Sequence, residues 1–249
     1  MARKKPQNNA AIFDVGGIKV PEFDPGLVDF IGAEDIAAAA AEETRYTKPK
    51  VYQQSSSYVN YENAVKLARD LRLNPGERAD CFVSGNSIFG DFIEAYLREH
   101  HAKALKMTIS TLSLGQNNVD SLYNLMAGGY IEELNLILSV YFYGNEHFRL
   151  IPYIYRRLDF GDKFQLAVAS IHTKTAQFET LGGRKIVMHG SANLRSSGNV
   201  EQFTIEENPE LYDFYDQYLG RIIDKYATIK KPIRDKDLWA EFINKKFND

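Results

Sequence analysis

The stretch Ile171–Ile205, IHTKTAQFETLGGRKIVMHGSANLRSSGNVEQFTI, decides how this chain folds. β-Branched and aromatic residues flank a tight Leu181-Gly-Gly-Arg184 corner, so the run reads as a hairpin, a loop and a third strand. Side chains two apart on a strand share a face. His172 and Lys174 therefore point the same way, and beyond the corner His189, Ser191 and Asn193 stand in the same relation to one another. Solvation alone explains many polar rows on hairpins, so the rest of the chain has to supply the context.

Upstream, strand and helix signals alternate. ADCFVSG (79–85) reads as a buried strand, and NSIFGDFIEAYLREHH (86–101) as a helix with Ile88, Phe89, Phe92, Ile93, Tyr96 and Leu97 on one face. ALKMTISTLSL (104–114) alternates Leu105, Met107 and Ile109 as a strand; GQNN (115–118) follows as a polar loop, and VDSLYNLMAGGY (119–130) as a helix ending at glycines. ELNLILSVYFYG (133–144) reads as a third strand, NEHFRLIPYIYRRLDFGD (145–162) as helical, and KFQLAVASI (163–171) as the strand that delivers His172. Downstream, NPELYDFYDQYLGRIIDKY (208–226) opens with Asn208 as N-cap and Pro209 at the first helical position. This order predicts an α/β fold: a mixed β-sheet sandwiched by helices.

Residues 1–50 read as a partly irregular N-terminal extension containing an alanine-rich helix over 34–45, residues 51–228 as the folded domain, and residues 229–249 as a basic, helical tail. Hydrophobic content of 44% and charged content of 25% fit a globular protein, and a net charge of −3 gives no global basic signature. A polyanionic partner would have to be held by a local patch. Cys81 is the only cysteine, which excludes an internal disulfide and a cysteine zinc site. With no apolar run of signal-peptide or membrane-span length, the expectation is a cytoplasmic protein with no membrane association.

The polar residues of the opening stretch form an ordered motif: His172-Thr-Lys174, four residues to Glu179, then Gly190-Ser191-Ala192-Asn193 and Asn199-Val-Glu201. This resembles the signature of the phospholipase D superfamily, H-x-K-x4-D followed by G-S-x-N and a downstream acid. Glu179 stands where the family has aspartate, and the gap to Gly190 is lengthened by the Leu181–Arg184 corner. The resemblance implies a phospholipase D-like fold over 51–228 with one motif copy per chain. It also implies His172 as the nucleophile that becomes a phosphohistidine and Lys174 as the charge on the phosphate. Asn193 and Ser191 would donate to its oxygens, and Glu201 would accept from His172 and fix its tautomer. Those residue types suit a phosphodiester, a stable anion whose cleavage without metal needs a nucleophile, a proton donor and positive potential.

A second histidine must protonate the leaving oxygen, yet the motif occurs once. A homodimer sharing one site across a twofold axis supplies it. The small single-motif members resembled here include metal-independent endonucleases, so the expected function is a nuclease cleaving DNA or RNA, with DNA the expected partner. Expected substrate contacts are Arg195, just after Asn193, and the loop residues Asn86, Gln116 and Asn117. No cofactor and no metal site are expected. A lipid phosphodiesterase and a catalytically silent nucleic-acid-binding module of the same fold stay open. His189 is expected to make a structural hydrogen bond, and His100 and His147 to be solvated helix residues.

Overall fold

A computed structural model of the chain describes residues 55–60, 64–83, 88–195 and 199–228, with side chains from residue 64 onward. The N-terminal extension, the loop carrying Asn86 and the C-terminal tail lie outside the described residues. In chain order the elements are β1 (Ser55–Asn60), α1 (Ala64–Asp70), β2 (Glu77–Val83), α2 (Phe89–Glu99), β3 (Ala104–Thr111), α3 (Gln116–Ala127) and β4 (Ile131–Ser139). There follow α4 (Val140–Glu146), α5 (Leu150–Leu158), β5 (Phe164–Ala169), β6 (Thr175–Thr180), β7 (Lys185–Gly190), β8 (Glu201–Glu207) and α6 (Pro209–Tyr226).

All eight strands join one sheet in the order β1-β2-β8-β7-β6-β3-β4-β5. The β1–β2 pair and the β3–β4–β5 trio are parallel, as strands linked by crossover helices must be. Between them the antiparallel β6–β7–β8 meander closes the sheet, β8 pairing with β2 and β6 with β3. The mixed sheet expected from the sequence is present.

Apolar side chains alternate onto one face. Ala79, Cys81, Met107, Ile109, Leu136, Leu166, Phe178, Met188, Phe203 and Ile205 are all buried there, under α1 to α5. Phe203 packs its ring between Phe89 and Phe92 of α2, at centroid distances of 5.3 and 4.7 Å. The opposite face is far more polar, with an in-register row of Gln165, Asn135, Thr108 and Gln177 running across β5, β4, β3 and β6. The helix packed on that face is α6, through Leu219 and Ile223 against Ile137 and Ala167. No helix among the described residues is long and apolar enough to cross a membrane.

Three sequence readings change. Val140–Gly144 is helix rather than strand, because the Ser139 hydroxyl accepts from Phe142 N (3.0 Å), starts α4 and turns Phe142 and Tyr143 into the core. Gln116 and Asn117 sit in the first turn of α3 rather than in a loop, since the Asn118 side chain accepts from Gly115 N (2.8 Å) and begins the helix three residues early. His172 and Lys174 lie in the connection before β6, not on a strand.

Candidate active site

Antiparallel pairing brings the motif to one end of the sheet. The start of β6 lies beside the end of β7, Thr175 opposite His189, and the start of β8 lies beside the end of β7, Gly190 opposite Phe203. The carboxyl ends of β2 and β3 open at the same place, Val83 pairing with Glu201 and Ser110 with Thr175. Loops at this end carry His172, Lys174, Ser191 and Asn193, and Glu201 is the first residue of β8.

His172 is exposed and Lys174 half-buried. The Lys174 ammonium donates to the His172 carbonyl (3.0 Å) and stands 3.2 Å from His172 Nδ1, so the pair shares a side without strand geometry. The connection is anchored at Thr173, whose hydroxyl lies 2.5 Å from the buried Ser110 hydroxyl, and at Lys174 O, which accepts from Gly190 N (3.2 Å). Burial lowers the Lys174 pKa, an effect the Glu201 charge only partly offsets. An ammonium can only donate, so its position leaves the proton of a neutral His172 on Nε2.

Gly190 is held to glycine by sterics. A Cβ there would come within 2.2 Å of Gln202 O and 2.6 Å of Phe203 Cα, so only a bare backbone lets β7 run this close to β8. The next residue is bonded at both its polar groups: Ser191 N donates to Gln202 O (2.9 Å), Gln202 N donates back to the hydroxyl (3.1 Å), and that hydroxyl donates to the Glu201 carboxylate. Glu201 therefore does not meet His172 within the single chain, contrary to expectation, because Ser191 takes its carboxylate and Lys174 occupies the Nδ1 side of the imidazole. Asn193 is half-buried, and its Oδ1 is shielded without a hydrogen-bond partner.

The residues flanking Asn193 tie the loop down. Ala192 and Leu194 are buried in the main core. Leu194 N donates to Thr111 Oγ1 (3.4 Å), while Leu194 O accepts from Gly90 N (3.1 Å) and Asn118 Nδ2 (3.0 Å). Sequence reading passed over Thr111, Asn118 and Leu194; a lone asparagine after a polar pair carries no local signal of a contact this far away in sequence. Gly90 and Asn118 belong to the first turns of α2 and α3, so two helix N-termini converge on the loop and favour negative charge.

Gln116 and Asn117 are exposed on the first turn of α3, and Arg195 is exposed after Leu194; no described contact joins them to His172. Other basic residues in the motif half of the chain are engaged in ion pairs. Arg157 pairs with Asp120 (3.0 Å), Arg184 with Glu207 (2.5 Å) and Lys185 with Asp213 (2.5 Å). Glu179 lies at the far end of β6, in register between Lys106 and Lys185. His189 makes a structural bond, Nε2–H donating to buried Glu206 (3.1 Å). Burial raises the Glu206 pKa, but bonds from His189 and Asn208 outweigh it and the carboxyl is held below its ordinary range. His100 and His147 are not simply solvated: His100 donates to Ala68 O (2.7 Å) against the Tyr96 ring, and His147 lies against Phe148. Among the described residues no group of three or more histidine, cysteine or acidic side chains is placed to hold a metal ion.

No family model and no curated protein matches the sequence. Among solved structures the chain is similar to Nuc, a phospholipase D family member from Salmonella typhimurium, at 14% identity and a TM-score of 0.44, over 61% of this chain and 96% of that one. It is similar to NucT from Helicobacter pylori at 17% identity and a TM-score of 0.40, over 50% of this chain and 82% of that one. Phosphatidylserine synthase from Haemophilus influenzae aligns at 13% identity and a TM-score of 0.44, over 68% of this chain and 46% of that one.

Proposed function

We propose that the chain is a metal-independent phosphodiesterase of the phospholipase D type, a nuclease acting on DNA first and RNA second. The observation that carries this reading is the convergence at one sheet end of the His172–Lys174 pair, the Ser191–Glu201 pair and Asn193, beneath two helix N-termini. These are the groups an anionic diester requires: a nucleophile, fixed positive charge and neutral donors.

The reaction proceeds in two displacements. Nε2 of one His172 forms a bond to phosphorus as the leaving oxygen departs, and that oxygen takes a proton from a second histidine in its imidazolium form, which is left as neutral imidazole. Water, deprotonated by the same imidazole, then displaces the histidine from phosphorus. Lys174 neutralises a non-bridging oxygen throughout, and Asn193 and Ser191 donate to the others. The histidine that acts as acid is the imidazolium, protonated on both ring nitrogens, so its Nδ1–H needs an acceptor in place of the Lys174 ammonium. The attacking histidine needs an acceptor for Nδ1–H, the role of Glu201 once it has released Ser191. One chain holds one motif histidine, so the working unit is a homodimer with both copies of His172 in a common site. Arg195 contacts a backbone phosphate, while Gln116 and Asn117 border the substrate path. Its single cysteine suits a reducing cytoplasm.

The test is incubation of purified protein with plasmid, single-stranded DNA, RNA and phosphatidylcholine liposomes in excess EDTA. Cleavage of a nucleic acid that is lost in His172→Ala is expected. Strict dependence on magnesium or manganese, or turnover of the liposomes alone, would overturn the reading.

A further inference from the structure

The second half of the motif is held from behind by a side chain the proposed chemistry does not use. Asn118 is buried in the first turn of α3 and spends both ends of its amide at once: Oδ1 accepts from Gly115 N (2.8 Å), and Nδ2 donates to Leu194 O (3.0 Å). Leu194 O also accepts from Gly90 N (3.1 Å). A Cβ on Gly90 would lie 2.5 Å from Asn118 Nδ2, so glycine at the start of α2 is what lets the amide reach the carbonyl. Gly90 has ordinary helical freedom and no left-handed φ, so this close approach is the reason for its place.

We infer that Asn118 is a positioning residue. It clamps the carbonyl of Leu194 between the first turns of α2 and α3, and so fixes the backbone that aims Asn193 at the phosphate. The inference rests on the proposed phosphate role of Asn193. A transition-state donor displaced by about 1 Å loses rate out of proportion to any loss of fold, so the clamp acts on turnover more than on stability.

Asn118→Asp separates the two ends of the amide. The aspartate keeps the Oδ1 acceptor for Gly115 N, and its charge suits a helix N-terminus. At the other end it replaces a donor with an oxygen facing Leu194 O. Simple helix starting would leave this variant at wild-type stability and rate. The clamp instead requires kcat on a diester such as bis(p-nitrophenyl) phosphate to fall by roughly 10- to 100-fold at temperatures where the variant is fully folded, with KM and the shape of the pH–rate profile held.

Gly90→Ala is the independent variant. It suits a helix better than glycine, yet it should reproduce the loss by pushing Asn118 off the carbonyl. Hydrogen exchange judges the clamp without catalysis: amides of residues 191–195 should exchange faster in both variants, with those of α3 unchanged in Asn118→Asp. Wild-type kcat in both variants, a kcat loss that merely tracks the melting temperature, or unchanged exchange at 191–195 would each overturn it. If wild-type protein cleaves no diester, the proposed function falls, and the exchange result alone decides whether Asn118 holds the loop.

Discussion

Lys174 is half-buried, and burial disfavours its ammonium even though Glu201 lies close enough to favour it. The sign of the resulting pH effect follows directly. A lysine pKa below the ordinary 10.5 means that the charge proposed to neutralise the phosphate is lost as pH rises through that lowered value. Activity should therefore show an alkaline limb below pH 10.5, and a rate profile from pH 7 upward (~ the ordinary working range of imidazole) would reveal it. In Lys174→Arg the guanidinium stays charged across that range, so the limb should vanish even if the rate is lower; a limb unchanged in the arginine variant would assign it to another group. At this scale the motif residues were legible because each is a chemically costly type in a strand-rich stretch. Their partners were not. That Glu201 bonds Ser191 depends on how the connection from β7 to β8 closes, and that Leu194 anchors Asn193 depends on contacts with distant elements, which no local spacing encodes.

Among the elements, α6 was the most legible, since its cap and first residue are written out as Asn208-Pro209 and the structure starts it there. Asn208 does more than cap. Its Oδ1 accepts from Leu211 N (3.1 Å) while Nδ2 donates to the buried Glu206 carboxylate (3.1 Å). Asn208→Ala should cost ~1–2 kcal/mol, the upper range for a lost N-cap, measured as a shift of the urea midpoint with unchanged slope. Asn208→Asp retains the cap but sets a second carboxylate against Glu206, and should be no better than alanine; full stability in Asn208→Ala would show that neither bond contributes, and full stability in Asn208→Asp that the bond to Glu206 does not. The misread elements have a common cause. Val140–Gly144 is apolar and aromatic, so propensity favours a strand, yet Ser139 stops β4 and the core accepts Phe142 and Tyr143 equally well from a helix. Of the alternation read in Leu105, Met107 and Ile109, the last two are buried in the core, whereas Leu105 is half-buried at the irregularity between Ala104 and Lys106; Thr108 and Ser110 are buried too, because the strand is central.

For the whole molecule, the order of strands and helices predicted the α/β class and the mixed sheet, but not that α1 to α5 crowd one face while, among the described residues, α6 packs on the other. That second face is the polar one: β3, β4, β5 and β6 place Thr108, Asn135, Gln165 and Gln177 on it, and Thr108, Gln165 and Gln177 are buried there. The dimer proposal belongs at this scale. If two chains share one site, a mixed dimer of wild-type and His172→Ala chains lacks either nucleophile or acid, so activity of randomly exchanged mixtures should follow the square of the wild-type fraction. Initial rates at several ratios, with subunit exchange confirmed by a tag, check this; a straight line, or an active monomer, would remove the shared site. The sheet order carries one more consequence. The meander bearing the motif is wedged between strands made much earlier, and Glu201 comes to lie opposite Val83 only when β8 pairs with β2. Such long-range closure comes late in folding. A chain whose synthesis has not passed β8 has neither the carboxylate nor the wall against which Gly190 packs, so the candidate site is complete only when the last strand of the sheet is in place.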